Sequence, residues 1–176
     1  MRIGIFYGST LDNTKEAAEQ IKSDMEAGVS LTIDIYDVAT CDIQDMHLYD
    51  VLLMGCSTWN IGELQDDWYD VFAKLDTIDF TGKQVALFGC GDEGGYPDTY
   101  QDAIGIIGKR VRELGATIVG YWSTEGYDFI DSAALEDGKF MGLAIDNDNA
   151  AGLTDSRIRT WVQQLIGELH LESVHA

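Results

Sequence analysis

Short apolar runs alternate with amphipathic stretches along most of the chain. Residues 2–7, 50–56 and 83–90 are almost wholly apolar beyond their opening positions, the pattern of strands covered on both faces of a parallel sheet. Residues 31–38 read Leu-Thr-Ile-Asp-Ile-Tyr-Asp-Val, an alternating strand, and residues 117–121 form another short one. Between them, residues 13–27, 65–75, 100–114 and 155–169 predict helices. In the last of these, Ile158, Trp161, Val162, Leu165, Ile166 and Leu169 recur at helical spacing. Strands alternating with helices predict an α/β fold, a doubly wound five-stranded parallel sheet in a single domain spanning residues 1–176.

The rhythm breaks between Trp122 and Ile145. A polar, glycine-containing stretch follows Trp122, and residues 139–146 then look like strand again. The prediction is an insertion of roughly twenty residues that interrupts the last strand, long enough to be of functional interest.

In a doubly wound sheet, ligands bind beyond the carboxyl ends of the strands. Three loops leave strands at that end. The first, Gly8-Ser9-Thr10-Leu11-Asp12-Asn13-Thr14, opens a helix. Its hydroxyls and the free amides of a helix N-terminus can take a phosphate without any basic residue, although capping of the helix by Asp12 or Asn13 accounts for the same residues. It is neither a Walker loop nor Gly-x-Gly-x-x-Gly. The second runs Ser57-Thr58-Trp59-Asn60-Ile61-Gly62. The next helix already has an apolar face in Leu64, Trp68, Val71, Phe72 and Leu75, so Trp59 is surplus to its packing. The third, Cys90-Gly91-Asp92 through Gly94-Gly95-Tyr96, offers close backbone approach, a carboxylate acceptor and a second aromatic. Two rings delivered to one sheet edge can hold a flat heterocycle between them, and flavin is the ring proposed.

Charge narrows the partners. Eleven Lys and Arg against 31 Asp and Glu give a net charge of −20. Phosphate-rich nucleic acid and anionic membrane surfaces both need basic residues, so neither is expected. Basic protein partners are favoured instead. No apolar stretch reaches the roughly 18 residues of a membrane span. The first residues run straight into a strand with no signal-peptide pattern, so a cytoplasmic monomer is expected. Cys41, Cys56 and Cys90 have no metal-ligand spacing, and reduced thiols are expected.

The chain resembles the long-chain flavodoxins from Arg2 to about Leu169. The resemblance is carried by Phe6-Tyr7-Gly8-Ser9 with Asn13-Thr14, by Thr58-Trp59-Asn60-Ile61-Gly62-Glu63-Leu64-Gln65, by Gly91-Asp92 with Gly95-Tyr96, by Gln101-Asp102-Ala103, and by the run from Gly120 to Asp128. It implies non-covalently bound FMN and an electron carrier shuttling between a reductase and acceptor proteins. Ser9, Thr10, Asn13 and Thr14 would hold the phosphate, and Trp59 and Tyr96 would flank the ring. Asp92 would accept from a ring N–H. Backbone around Ser57, Thr58, Asn60, Ile61, Gly62, Cys90 and Gly91 would line the ring. Gln101 and Asp148 would serve the ribityl chain or its surroundings, and Leu11, Asp12 and Asp98 complete the expected cofactor-binding set. The chain departs from the family at Leu11 and Asp12, where Thr and Gly are common, at Ser57 in place of a common proline, and at Pro97. Asp12 is expected to point away from the phosphate and cap the helix.

The resemblance also implies that the Asn60 peptide turns over when the reduced ring gains a proton. Like charge nearby makes further reduction costly. One extra charge at about 10 Å costs roughly 1–2 kcal/mol at an effective dielectric near 20, so a low-potential one-electron carrier is expected. The alternative is an FMN-dependent NAD(P)H quinone or nitro reductase. It needs a basic nicotinamide-nucleotide site that so acidic a chain disfavours.

Overall fold

The computed structural model describes residues 1–174. Its elements are β1 Ile3–Gly8, α1 Asn13–Gly28, β2 Ile33–Asp37, β3 Val51–Cys56, β4 Thr58–Trp59, β5 Glu63–Leu64, α2 Asp66–Val71, β6 Gln84–Cys90, α3 Asp102–Glu113, β7 Thr117–Val119, β8 Trp122–Ser123, β9 Leu135–Glu136, β10 Lys139–Phe140, β11 Gly142–Ile145 and α4 Thr154–Glu168. The main sheet runs β2-β1-β3-β6, all parallel. Its last edge is shared end to end. β7 pairs with Gln84–Ala86 of β6, and β11 with Leu87–Cys90. This is the interrupted final strand of the expected doubly wound sheet.

Three details differ from expectation. Residues 139–146 are not one strand. Lys139–Phe140 is the central strand of a small antiparallel sheet, β8-β10-β9, and the main sheet resumes only at Gly142. The break falls where two cores compete. Phe140 packs into an aromatic cluster with Tyr100, Tyr127 and Phe129, at ring distances of 5.1–5.8 Å. Gly142, two residues on, lies so close to the Leu87 carbonyl that a Cβ would collide with it. The expected helix over residues 65–75 likewise divides into α2 and a tighter 3-10 turn, Phe72–Thr77. α3 starts at Asp102 rather than at residue 100, because Gln101 is left-handed (φ 62°) and cannot continue a helix.

Alternate residues of each strand feed opposite faces. Phe6, Leu52, Met54 and Leu87 pack under α2 and α3 with Trp68, Ile104 and Ile107. Ile5, Leu53, Phe88 and Ile145 pack under α1 and α4 with Ile21, Met25, Trp161 and Leu165. Each such side chain, fully buried, contributes about 1.5–3 kcal/mol. The buried sheet therefore fixes the positions of its strand ends. Because the strands are parallel, the loops after β1, β3, β6 and β11 all emerge at one edge. The chain reverses its winding direction between β1 and β3.

Candidate functional site

A cleft of about 310 Å³ opens at that edge. Its first wall is the β1–α1 loop, with Ser9, Thr10, Leu11, Asn13 and Thr14. Asp12 sits at the N-cap of α1 with φ 63°, and its carbonyl accepts from Glu16 N at 2.8 Å. Its carboxylate makes no capping bond, contrary to expectation. The left-handed turn directs the helix start through the backbone, leaving the side chain exposed and off the cleft wall. Leu11 stands at the rim, 70% exposed. Among the described residues, no basic side chain lines the cleft. Its anion-attracting character rests on hydroxyls and on the amides that open α1.

The second wall is the hairpin β4–β5, contributing Ser57, Thr58, Trp59 and Asn60. Trp59 Nε1 donates to Ser57 Oγ at 2.8 Å, and Thr58 Oγ1 accepts from Ala103 N at 3.1 Å, tying the hairpin to α3. The turn needs two positive φ angles, 48° at Asn60 and 78° at Gly62. A Cβ on Gly62 would also lie 2.5 Å from an Asp102 carboxylate oxygen, so glycine is required there twice over. Asn60 Nδ2 donates to Glu63 Oε2 at 2.6 Å, and Ile61 forms an exposed tip beyond the cleft.

The third wall brings Cys90, Gly91, Asp92 and Tyr96 together with Asn147 and Asp148. Asp92 Oδ1 accepts from Gly95 N at 2.7 Å and from Asn149 Nδ2 at 2.8 Å. These bonds, the Gly95 amide first, hold its carboxyl below the usual carboxylate range. Asp146, fully buried at the end of β11, accepts from Glu93 N at 2.9 Å, Asp148 N at 3.1 Å and Asn149 N at 2.9 Å. Burial, then the charges of Asp92 and Asp146, raise the Asp148 carboxyl above its ordinary value. Burial pushes the Cys90 thiol up to about 12, so it stays neutral and serves as a small wall group.

Trp59 and Tyr96 are the aromatic side chains on the cleft wall. Trp68 and Trp161 are fully buried, whereas Trp59 is half-buried and Tyr96 is 49% exposed. Neither stacks on another ring among the described residues. Asp12, Ile61, Gly62, Asp98 and Gln101 lie off the cleft wall. Gln101 is buried, its Nε2 donating to Ile145 O at 3.2 Å, a bond that ties the start of α3 to β11. Asn147 was not anticipated. Its place beside Asp148, just past a strand end at the same edge, was the available signal.

The donor set suits a phosphate-bearing flat heterocycle. Hydroxyls and helix amides gather at one end, two unstacked rings flank the opening, and backbone polar groups lie between. A doubly wound sheet with such a cleft at its switch point defines an α/β protein of the nucleotide-cofactor-binding class. The flavodoxin family model matches residues 5–161. Curated flavodoxins from Nostoc sp. and Escherichia coli are 49% identical over 170 residues and 45% identical over 172. Both alignments cover 97% of this chain, and 98% and 96% of those proteins respectively. The crystal structure of Fusobacterium nucleatum flavodoxin bound to flavin mononucleotide superposes with a TM-score of 0.89 at 28% identity, covering 97% of this chain and 99% of that one. The chain belongs to the flavodoxin family.

Proposed function

We propose that this chain is a one-electron carrier that holds FMN non-covalently in the cleft and works at low potential between a reductase and acceptor proteins. The observation that carries the reading is the pair of half-exposed, unstacked rings, Trp59 and Tyr96, on separate loops of one sheet edge. Family membership and the FMN-bound relative support it. Bound FMN supplies reversible one-electron chemistry that no side chain of the protein offers.

The residues supply the rest. Ser9, Thr10, Asn13 and Thr14 hold the phosphate with the opening amides of α1. Trp59 and Tyr96 stack on the ring and exclude water from it, and Asp92 accepts from a ring N–H. The Asn60 peptide, already at positive φ, would be the hinge that offers its carbonyl to a ring N–H. Exposed Glu63 and Asp66 place negative charge beside that hairpin, disfavouring further negative charge in the cleft and attracting basic redox partners. No helix among the described residues is long and apolar enough to cross a membrane. A monomer in the cytoplasm completes the reading.

Reductive titration of the purified protein tests it. A yellow protein that takes up two electrons in well-separated one-electron steps, the second at strongly negative potential, is expected. A colourless protein that leaves added FMN fluorescence unquenched overturns it. Steady-state NADPH oxidation without an added reductase replaces it with the quinone or nitro reductase.

A further inference from the structure

Gln65 lies outside the cleft wall, yet it joins the cleft's two ends. It is 1% exposed. Its backbone N donates to Ser57 O at 3.2 Å, closing the base of the Trp59 hairpin. Its side chain makes three bonds. Oε1 accepts from Trp68 N at 3.3 Å, while Nε2 donates to Asp67 Oδ2 at 2.7 Å and to Thr10 Oγ1 at 3.2 Å. This orientation is fixed by chemistry. The flipped amide would set its NH2 against the Trp68 N–H and its carbonyl against the Asp67 carboxylate, two repulsive contacts in place of two bonds. Gly8 leaves room for it, since a Cβ there would collide with Gln65 Oε1 and lie 2.8 Å from the Trp68 ring.

The consequence falls on Thr10. An amide NH2 donates and cannot accept. Thr10 Oγ1 is therefore an acceptor toward Gln65, and its single O–H proton must be aimed elsewhere. Thr10 lines the cleft. In a site without a basic side chain, anion affinity depends on how many hydroxyls present hydrogen rather than lone pairs. We propose that Gln65 is a positioning residue that orients the Thr10 hydroxyl as a donor toward a bound phosphate, and so helps the cleft select FMN over riboflavin. The proposal rests on the FMN reading above.

Titrating the full-length apoprotein with FMN, with riboflavin and with inorganic phosphate separates the two. The wild type binds FMN more tightly than riboflavin; failure to bind either flavin overturns the FMN reading and this inference together. Gln65→Glu supplies an acceptor that turns the Thr10 proton inward, and is expected to lower the FMN-to-riboflavin affinity ratio by about tenfold to hundredfold, weakening inorganic phosphate in parallel. Gln65→Met keeps the bulk and removes the donor, and is expected to lower the ratio by about threefold to tenfold. In a Thr10→Val background the Gln65→Met change should lower the ratio no further, because the hydroxyl it acts through is gone. An unchanged ratio in Gln65→Met, equal weakening of both flavins, or a full effect without Thr10 each overturns the inference while leaving FMN binding intact. Should Gln65→Glu fail to fold, the Gln65→Met and Thr10→Val cycle still decides.

Discussion

The two loops that carry the flanking rings are held by different chemistry. The Trp59 hairpin is tied mainly by neutral bonds: Trp59 to Ser57, Ala103 N to Thr58, and Gln65 N to Ser57 O. The Tyr96 loop is tied by carboxylates. Asp92 gathers Gly95 and Asn149, Asp146 gathers Glu93, Asp148 and Asn149, and Glu93 accepts from Asp128 N at 2.7 Å. A neutral tie is insensitive to pH and modest in strength, whereas a carboxylate tie is stronger and titrates. One jaw of the cleft should therefore be robust and the other conditional.

The most severe way to break that contrast is to remove Asp146. Its carboxylate serves three backbone donors and the Asn149 amide from a fully buried position. Asp146→Ala removes the shared acceptor of these partly buried donors, and an expected loss of about 2–4 kcal/mol in urea unfolding follows. A loss under about 1 kcal/mol would show that backbone bonds alone hold the loop. Next come the rings themselves. Trp59→Ala and Tyr96→Ala should each weaken FMN by about tenfold to hundredfold in fluorescence titration, taking an aromatic stack as about 1–3 kcal/mol. Trp59→Ala should be the worse of the two, since its ring is larger and pre-positioned by Ser57.

Acid sharpens the comparison further. Asp92 titrates below its ordinary value in the folded protein, so its stabilisation of the Tyr96 loop is complete above the unfolded value near 3.9 and is lost as pH falls through the lower folded value. Asp148 runs the other way. Its raised value makes its charge unfavourable to the fold, a cost relieved as pH falls through that value. Riboflavin, which lacks the titrating phosphate, is the probe. Its affinity should hold or rise slightly on first acidification, then fall at lower pH, and Asp92→Asn should abolish the final fall. Trp59 fluorescence of the apoprotein should stay flat over the same range.

How much of this was legible in the sequence follows from which contacts are local. Unbroken apolar runs place β1, β3 and β6, and parallel winding puts their loops at one edge, so the sequence alone gathers Ser9, Thr10, Trp59, Asp92 and Tyr96. What failed was whatever depended on a partner distant in the chain. Residues 139–146 contain a continuous apolar run that reads as one strand; only the aromatic cluster around Phe140 and the Leu87 carbonyl beside Gly142 reveal two. Gln101 carries a polar side chain just past a binding loop, yet its left-handed backbone sends it to Ile145. Gln65 read as a helix start, and its bond to Thr10 spans 55 residues. Asp12 looked like a cap because Asp commonly is one, but a left-handed N-cap residue turns its side chain away from the amides it would cap.

Ser57 gives the finest test of the contrast. Its hydroxyl is the acceptor for Trp59 Nε1, and Trp59 is half-buried, so water can replace part of the lost bond in Ser57→Ala. The expected cost is about 0.5–1 kcal/mol, a two- to fivefold weakening of FMN, with no change in urea stability beyond that amount. The variant should weaken riboflavin and FMN equally, because it loosens the ring jaw and leaves the hydroxyls at the other end untouched. A selective loss of FMN would mean that the hairpin and the phosphate loop move as one body. In that case the bonds of Gln65 to Ser57 O and Thr10 Oγ1 would be the physical link between them.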